Sequence, residues 1–351
     1  MVSTVVTKSW RLATTDRMLT IAVDAMSGDL GPRVAFRACK ALLKQNSDVR
    51  IILPVEPAFM AEAHALLDRF GERVVLQEAG PSVLMSDPPR MALKERMQSS
   101  MAMCLAEHRD GHADGVLSVG NTGALLLFAR RMLGSIEGVD RPALATQLPT
   151  RGKPLLMMDL GANVNMSSEQ LLQLGHLARA WYIAGGHEEP SIGLLNIGSE
   201  PGKGTDTVRA ADELLACELP MNYVGFREGD RLFEGDLDAV ICDGYSGNIT
   251  LKTTEGLIEW LIDMMGAELR QSLSLRWFIP LWKATMRRID RRVSPARHGG
   301  AMLLGVAGNV AKTHGKSDER TFRYALEYMV GQIRQRDYHQ IEREIRLKTD
   351  A

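Results

Sequence analysis

Short apolar runs alternate along the chain with longer stretches of helical spacing. Ile21 and Val23 are β-branched, so Leu19 to Ala25 reads as a short buried strand, and Pro32 opens an apolar-periodic helix through Phe36, Leu42 and Leu43. The alternation continues through V-R-I-I-L-P, R-V-V-L-Q, D-G-V-L-S-V, P-L-L-M-M-D-L, I-G-L-L-N-I, M-N-Y-V-G-F and L-D-A-V-I-C-D. Nearly all of these are continuous apolar runs, the pattern of strands covered on both faces. The pattern predicts an α/β fold, a mostly parallel sheet with helices on each side. From Thr253 to about Arg292 only helix is expected, with Leu257, Ile258, Leu261, Ile262, Met265 and Leu269 at three-to-four spacing. No repeat or low-complexity linker marks a boundary. Residues 18–351 therefore read as a single α/β domain with a helical extension at about 253–298, behind an accessory tail at 1–17 rich in Ser, Thr and Arg.

Composition narrows the function classes. The 351 residues are 45% hydrophobic, enough for a large core, and the formal net charge of −1 removes any global electrostatic case for nucleic-acid binding. The four cysteines, Cys39, Cys104, Cys217 and Cys242, are far apart and form no C-x-x-C pair. They read as small buried residues of a reducing compartment, and no metal site is expected. No stretch approaches the roughly 18 apolar residues of a membrane span.

The residues able to carry chemistry gather where strands run into turns. V-D-A-M-S-G-D-L-G-P, Val23 to Pro32, follows the first strand with two acids, two glycines and a proline. Ligands of open α/β sheets bind at carboxyl ends of strands, so this stretch is either turn punctuation or a site. S-V-G-N-T-G-A-L-L, Ser118 to Leu126, leads into a helix whose free N–H groups and positive dipole end suit an anion such as phosphate; a plain capped helix is the other reading. M-D-L-G-A-N-V-N, from Met158, repeats strand, acid, glycine and amide, and L-N-I-G-S-E-P-G-K-G, from Leu195, adds Asn196, Glu200 and Lys203. The latter is not a phosphate-binding P-loop, because three residues separate Gly198 from Gly202 and a glycine follows Lys203. Lys203 is either an exposed loop lysine or a point charge for an anion. In C-D-G-Y-S-G-N-I-T-L-K, Asp243 ends a strand, and Ser246 or Asn248 is expected to cap the helix that holds Lys252. G-V-A-G-N-V-A-K-T-H-G places His314 between Thr313 and Gly315. So many clusters on the strand ends of one sheet point to one shared site.

In order, I-A-V-D-A-M-S-G-D-L-G-P, S-V-G-N-T-G-A-L, D-L-G-A-N-V-N, L-L-N-I-G-S-E-P-G-K-G, L-F-E-G-D-L-D-A-V-I-C-D-G-Y-S-G-N-I-T-L-K-T-T-E-G and G-G-A-M-L-L-G-V-A-G-N-V-A-K-T-H-G resemble the phosphate acyltransferases of bacterial phospholipid synthesis. The resemblance runs from about Met18 to the last helix. It implies an enzyme that moves a fatty acyl chain from acyl carrier protein to inorganic phosphate, giving an acyl phosphate for the glycerol-phosphate acyltransferase. It also implies a three-layer α/β/α sandwich similar to isocitrate and isopropylmalate dehydrogenases and to phosphotransacetylase. A homodimer without cofactor, cytoplasmic and peripherally attached to the inner face of the cell membrane, is expected as well.

Such a reaction needs attack on a thioester carbonyl by a phosphate oxygen, stabilisation of an oxyanion and departure of a thiol. Phosphate is already charged and needs positioning more than activation, so no serine or cysteine nucleophile is required. Resemblance and chemistry together make Lys203, Asn248, Asp243 and Asp24 the catalytic candidates. Lys203 offsets charge, Asn248 donates to the oxyanion, and the two acids orient these groups or act as base. Phosphate or substrate contacts are expected from Gly28, Asp29, Asn121, Thr122, Gly123, Asp159, Gly161, Asn163, Asn196, Gly244, Lys252 and His314. The chain departs from the family at Ser27, usually Gly, at Asn165, usually Asp, and at Val306-Ala307-Gly308, often V-N-G.

Leu275 to Arg292 carries six basic residues and one acid. Beside those charges, Trp277, Phe278, Ile279, Leu281 and Trp282 are expected to anchor the protein on an anionic lipid surface, with packing against a dimer partner as the other reading. Arg90, Lys94 and Arg96 either meet the acidic carrier protein or form a solvated helix face. A nicotinamide-dependent dehydrogenase on the same sheet type and a non-catalytic membrane-associated scaffold are the alternative functions.

Overall fold

The computed structural model describes residues 18–271, 300–336 and 338–349. Eleven strands form one sheet: β1 (Leu19–Asp24), β2 (Val49–Val55), β3 (Val74–Glu78), β4 (Gly115–Ser118), β5 (Ala143–Leu148), β6 (Leu155–Met158), β7 (Ile192–Leu195), β8 (Tyr223–Arg227), β9 (Ala239–Ile241), β10 (Gly300–Leu304) and β11 (Val310–Thr313). Their order across the sheet is β3-β2-β1-β4-β11-β10-β5-β6-β9-β7-β8. The neighbours from β3 to β11 are parallel to one another, as are those from β6 to β8. Between the two blocks, β11–β10, β10–β5 and β5–β6 are antiparallel.

Three reversals leave the two parallel blocks running in opposite directions. The carboxyl ends of β1, β4 and β11 therefore lie at one edge of the sheet, and those of β6, β7 and β9 at the other. The strand-end clusters expected to share a site are thus divided between two edges. Whatever joins them must cross the sheet.

Helices cover both faces, as buried strands require. One face is a continuous core under α1 (Pro32–Gln45), α2 (Pro57–Leu67), α6 (Ser168–Ala184), α7 (Asp206–Glu218), α9 (Glu319–Gln335) and α10 (Tyr338–Thr349). It includes the fully buried Phe36, Ile51 and Leu174, side chains whose burial contributes about 1.5–3 kcal/mol each. On the other face α4 (Ser100–Arg109) and α5 (Thr122–Met132) cover β1, β2 and β4, beside the short α3 (Pro89–Glu95). Over β5, β6 and β9 that face is covered instead by Leu232, Leu237 and Leu251, the last on α8 (Gly244–Gln271). The helix expected to hold Lys252 and to continue past Thr253 begins at Gly244 and is continuous for 28 residues.

Candidate active site

Asp24, Ser118 and Lys312 stand opposite one another across β1, β4 and β11. Each lies two residues past an apolar partner of the α4–α5 core, Ala22, Val116 or Val310, so all three belong to that face. Asp24 is fully buried. Its carboxylate accepts hydrogen bonds from the hydroxyls of Ser27 at 3.1 Å, Ser118 at 2.7 Å and Ser100. Burial pushes its pKa above the ordinary carboxylate value, and the three hydroxyls oppose that shift. Of the two roles expected for Asp24, orienting its neighbours or acting as base, this geometry supports the first. Asp24 has no open face, and it ties the first turn to α4 and β4. Ser27 belongs to this knot through its hydroxyl, and no described residue other than glycine has positive φ, so its backbone asks for no glycine.

Past Asp24 the turn opens out. Asp29 is exposed, and its N–H donates to the Gly315 carbonyl at 2.9 Å, joining the loops after β1 and β11. Asn121 caps α5: Oδ1 accepts from the Ala124 N–H at 3.1 Å, while Nδ2 donates to the Met85 carbonyl at 2.9 Å. Its side chain thus holds the loop before α3 and caps α5. The backbone N–H groups of Thr122 and Gly123, in the same first turn, have no protein partner among the described residues. They sit at the positive end of the helix.

Lys312 is the residue that sequence reasoning passed over. It is half-buried, and burial followed by the nearby Lys252 lowers its pKa from 10.5 to about 8, with Asp29 pulling the other way. His314 is lowered too, by burial and then by Lys252 and Lys312, with Glu255 and Asp29 opposing. The available signal was A-K-T-H-G, two cationic side chains at alternate positions. Between pH 8 and 10.5 the unfolded chain holds a proton at Lys312 that the folded chain has released, so stability rises with pH through that window. Thermal melts of wild type against Lys312→Met are expected to show the wild type gaining on the variant across it. A constant difference would mean that the amine is not depressed.

At the opposite edge another buried carboxylate organises the turn after β6. Asp159 Oδ1 accepts the backbone N–H groups of Leu144 at 3.0 Å, Gly161 at 3.2 Å and Ala162 at 3.1 Å. Its Oδ2 accepts from the Asn163 N–H at 2.6 Å and from the Asn163 side-chain amide at 3.0 Å. Burial raises the Asp159 pKa, and these donors work against it. Asn163 also donates to the Pro142 carbonyl at 2.9 Å and is itself buried. Asp159 and Asn163 shape the turn from inside.

That turn is pressed against the head of α8. Gly244 N–H donates to the Asn163 carbonyl at 2.8 Å, and a Cβ at Gly244 would sit 2.5 Å from the same oxygen. Gly161 has φ of +118°, and a Cβ there would lie 2.8 Å from the Asn248 side-chain nitrogen. The cap of α8 is Asp243, correcting the expectation of Ser246 or Asn248. Its Oδ1 accepts the Ser246 N–H at 2.7 Å and its Oδ2 accepts the Ser246 hydroxyl at 3.2 Å. Both Asp243 oxygens are thus engaged by Ser246 at the head of the helix. Asn248 remains exposed, with Nδ2 donating to the Leu160 carbonyl at 3.1 Å.

In the turn after β7, the buried Asn196 donates from Nδ2 to the Lys203 carbonyl at 3.2 Å. Asn196 therefore shapes the loop, and Lys203 is presented to solvent. Among the described residues no hydrogen bond or ion pair joins Lys203 to α8 or to the 159–163 turn.

Helix α8 connects the edges. Asn248 and Lys252 are four residues apart and so lie one above the other, about 6 Å between Cβ atoms. Asn248 stands beside Leu160 at one edge. Lys252, which ion-pairs with Glu255 at 2.7 Å, is the electrostatic neighbour of Lys312 and His314 at the other. One helix face thus carries a hydrogen-bond donor and a cation across the boundary between the opposed blocks.

Burial raises the thiols of Cys104 and Cys242 well above the ordinary value and that of Cys39 to about 12, so these three are poor nucleophiles. Among the described residues no group of three or more His, Cys, Asp or Glu could hold a metal ion, and no helix is long and apolar enough to cross a membrane. Trp277, Phe278, Ile279, Leu281 and Trp282 lie outside the described residues, as do residues 1–17.

Comparison with known proteins agrees with the fold. Solved structures with similar folds include the EutD phosphotransacetylase from Staphylococcus aureus, at TM-score 0.58 and 13% identity over 90% of this chain and 94% of that one. A 4-hydroxythreonine-4-phosphate dehydrogenase from Salmonella typhimurium is similar at TM-score 0.51 and 12% identity, over 91% of this chain and all (100%) of the other. Identities this low speak to the fold alone. In sequence, a phosphate acyltransferase of Cellvibrio japonicus is 38% identical over 93% of this chain and 98% of its own length. One from Delftia acidovorans is 40% identical over 88% and 89% respectively. The family described as "Fatty acid synthesis protein" matches residues 19–338. With similarity on that scale covering nearly every element described above, the chain belongs to this family, that of the phosphate acyltransferases.

Proposed function

We propose that the protein transfers a fatty acyl group from an acyl carrier protein thioester to inorganic phosphate, releasing the carrier thiol and an acyl phosphate for phospholipid synthesis. The carrying observation is the Asn248–Lys252 face of α8, a donor and a cation about one turn apart between two sets of strand-end loops. The acyl carbonyl lies near Asn248, and phosphate lies near Lys252 and the free N–H groups of α5. A phosphate oxygen adds to the carbonyl carbon, the negative charge on the carbonyl oxygen is met by the second amide hydrogen of Asn248, and the C–S bond then breaks. The proton of hydrogen phosphate ends on the departing sulfur, so thioester plus hydrogen phosphate gives acyl phosphate plus thiol. Lys203 offsets charge on the acyl or phosphoryl group from the loop after β7.

The dehydrogenase alternative rests on fold alone, whereas relatives at 38–40% identity are named phosphate acyltransferases. An assay with carrier-protein thioester and phosphate, following free thiol and acyl phosphate, tests the assignment.

The proposal extends to surroundings. Beyond Lys252, α8 leaves apolar side chains uncovered, among them Leu257 at 52% and Trp260 at 59% exposure. Such a stripe supports a homodimer formed along α8, and the basic, aromatic segment 275–292 supports peripheral attachment to an anionic membrane. Light scattering is expected to give a dimer that Trp260→Glu dissociates. Co-sedimentation with anionic vesicles is expected to weaken in Trp282→Ala. A monomeric wild type, or vesicle binding indifferent to lipid charge and to Trp282, would remove the respective claim.

A further inference from the structure

Between β3 and α4 the chain makes an excursion, residues 81–97, that the transfer step as described leaves without a role. It is closed at its base, where the Gly80 N–H donates to the Gln98 carbonyl at 2.7 Å. Its far end is pinned over the first turn of α5: Asn121 Nδ2 donates to the Met85 carbonyl at 2.9 Å and to that of Asp87 at 3.4 Å. A Cβ at Gly123 would lie 3.0 Å from Pro89 Cγ, and one at Gly315 would lie 3.4 Å from Met85 Cε. Helix α3, inside the excursion, has two unlike sides. Ala92 is buried and Leu93 half-buried against the α4–α5 core. Arg90, Met91 and Lys94 fall on the other side and are exposed, with Arg90 and Lys94, four residues apart, as neighbours. The half-buried Arg96 follows, and Leu84, Met85 and Met97 add exposed apolar surface. Arg130 lies seven residues beyond Gly123, about 10 Å along the side of α5 that meets α3, with Arg131 next to it. None of these five cations has a side-chain hydrogen bond or ion pair among the described residues. The acids of the excursion are Asp87, which accepts the Leu84 N–H at 2.9 Å, and the exposed Glu95.

We propose that the outer side of α3, with the end of α5, is the docking surface for an acidic helix of the carrier protein that delivers the thioester. Cations without partners of their own attract an acidic surface from a distance and fix its orientation on arrival. The methionines between them adapt their shape to the apolar side chains of whatever docks. The position of the patch favours a carrier. It stands on the head of α5, beside the turn after β11, so a partner held there sets its thioester down next to the transfer site. A lipid surface would meet the same charges but brings no thioester to that point.

This deepens the acyl-transfer reading and rests on it for the identity of the partner, yet binding is measured without turnover. The full-length protein is titrated calorimetrically with carrier protein that bears its pantetheine arm and no acyl chain. Wild type is expected to bind, more weakly as salt is added. The double variant Arg90→Glu/Lys94→Glu is expected to bind about tenfold or more weakly, and Arg90→Gln/Lys94→Gln to fall between. Both should melt like wild type, because the two side chains are exposed. In the enzyme assay the charge reversal is expected to raise KM for the carrier thioester with kcat unchanged, and to leave turnover of a protein-free acyl-pantetheine thioester as in wild type. No binding to wild type, or equal affinity in the reversed variant, overturns the proposal. So does lost turnover of the protein-free thioester, which would put these cations in the transfer step, and so does a loss confined to anionic vesicles. Carrier binding that the reversal removes, in a protein that forms no acyl phosphate, would sink the acyl-transfer reading and leave the docking surface standing.

Discussion

Asp159→Asn is expected to unfold or severely destabilise the protein, whereas Asp24→Asn is expected to fold. Both carboxylates are fully buried and differ by one atom from the amide. The donors around them decide the outcome. Asp159 accepts from fixed backbone N–H groups on both oxygens, so either orientation of an asparagine turns its NH₂ against donors that cannot rotate. Leaving such groups unsatisfied costs about 1–3 kcal/mol each, and several are lost together, for a total of at least about 3–5 kcal/mol. Asp24 accepts three side-chain hydroxyls and one backbone N–H, that of Met26; a hydroxyl can turn from donor to acceptor, and an asparagine can keep its oxygen on the single fixed N–H. Asp24→Asn should stay within about 1.5 kcal/mol of wild type in urea titrations. Because burial raises the Asp24 pKa, the folded state takes up that proton before the unfolded chain does as pH falls, so wild type should gain on Asp24→Asn on acidification. Equal tolerance of the two substitutions would contradict this account of the turns.

The second large effect is on turnover. Removing a preorganised donor from an oxyanion site lowers kcat by about 10² to 10³, and this is the loss expected for Asn248→Ala and Lys203→Ala. Thermal melts should separate the two. Asn248→Ala also removes the hydrogen bond to Leu160 and should lower the melting temperature slightly. Lys203 is exposed and makes no side-chain bond among the described residues, so its variant should melt like wild type. Near-normal acyl phosphate formation, trapped as hydroxamate, in Lys203→Ala would remove that lysine from the mechanism.

How much of this was legible in the sequence follows from residue type. Strands rich in Ile, Val and Leu, such as β1, β2 and β9, announce themselves. The Ala- and Gly-containing strands A-L-A-T-Q-L, G-A-M-L-L and V-A-K-T do not, and these are β5, β10 and β11. All three antiparallel pairings involve β5 or β10. Missing them hid the reversal that sends the clusters to opposite edges. The site suffered likewise: acids and amides at strand ends were found, but Asp24, Asp159, Asn163 and Asn196 face inward, holding the turns that present other groups. Whether a carboxylate meets backbone donors or substrate depends on contacts such as Leu144 to Asp159, fifteen residues apart, and turn composition does not encode them. Lys312 was missed because its strand was missed. Asn248 and Lys252 were visible as residues, but their role in joining two edges needed the topology.

The most direct measurement of the central claim follows free thiol and hydroxamate-trapped acyl phosphate together, from long-chain acyl carrier protein thioester, with and without inorganic phosphate. The account predicts equal amounts of both products, dependent on phosphate and lost in Asn248→Ala. Thiol release without acyl phosphate, or no phosphate dependence at all, would contradict it.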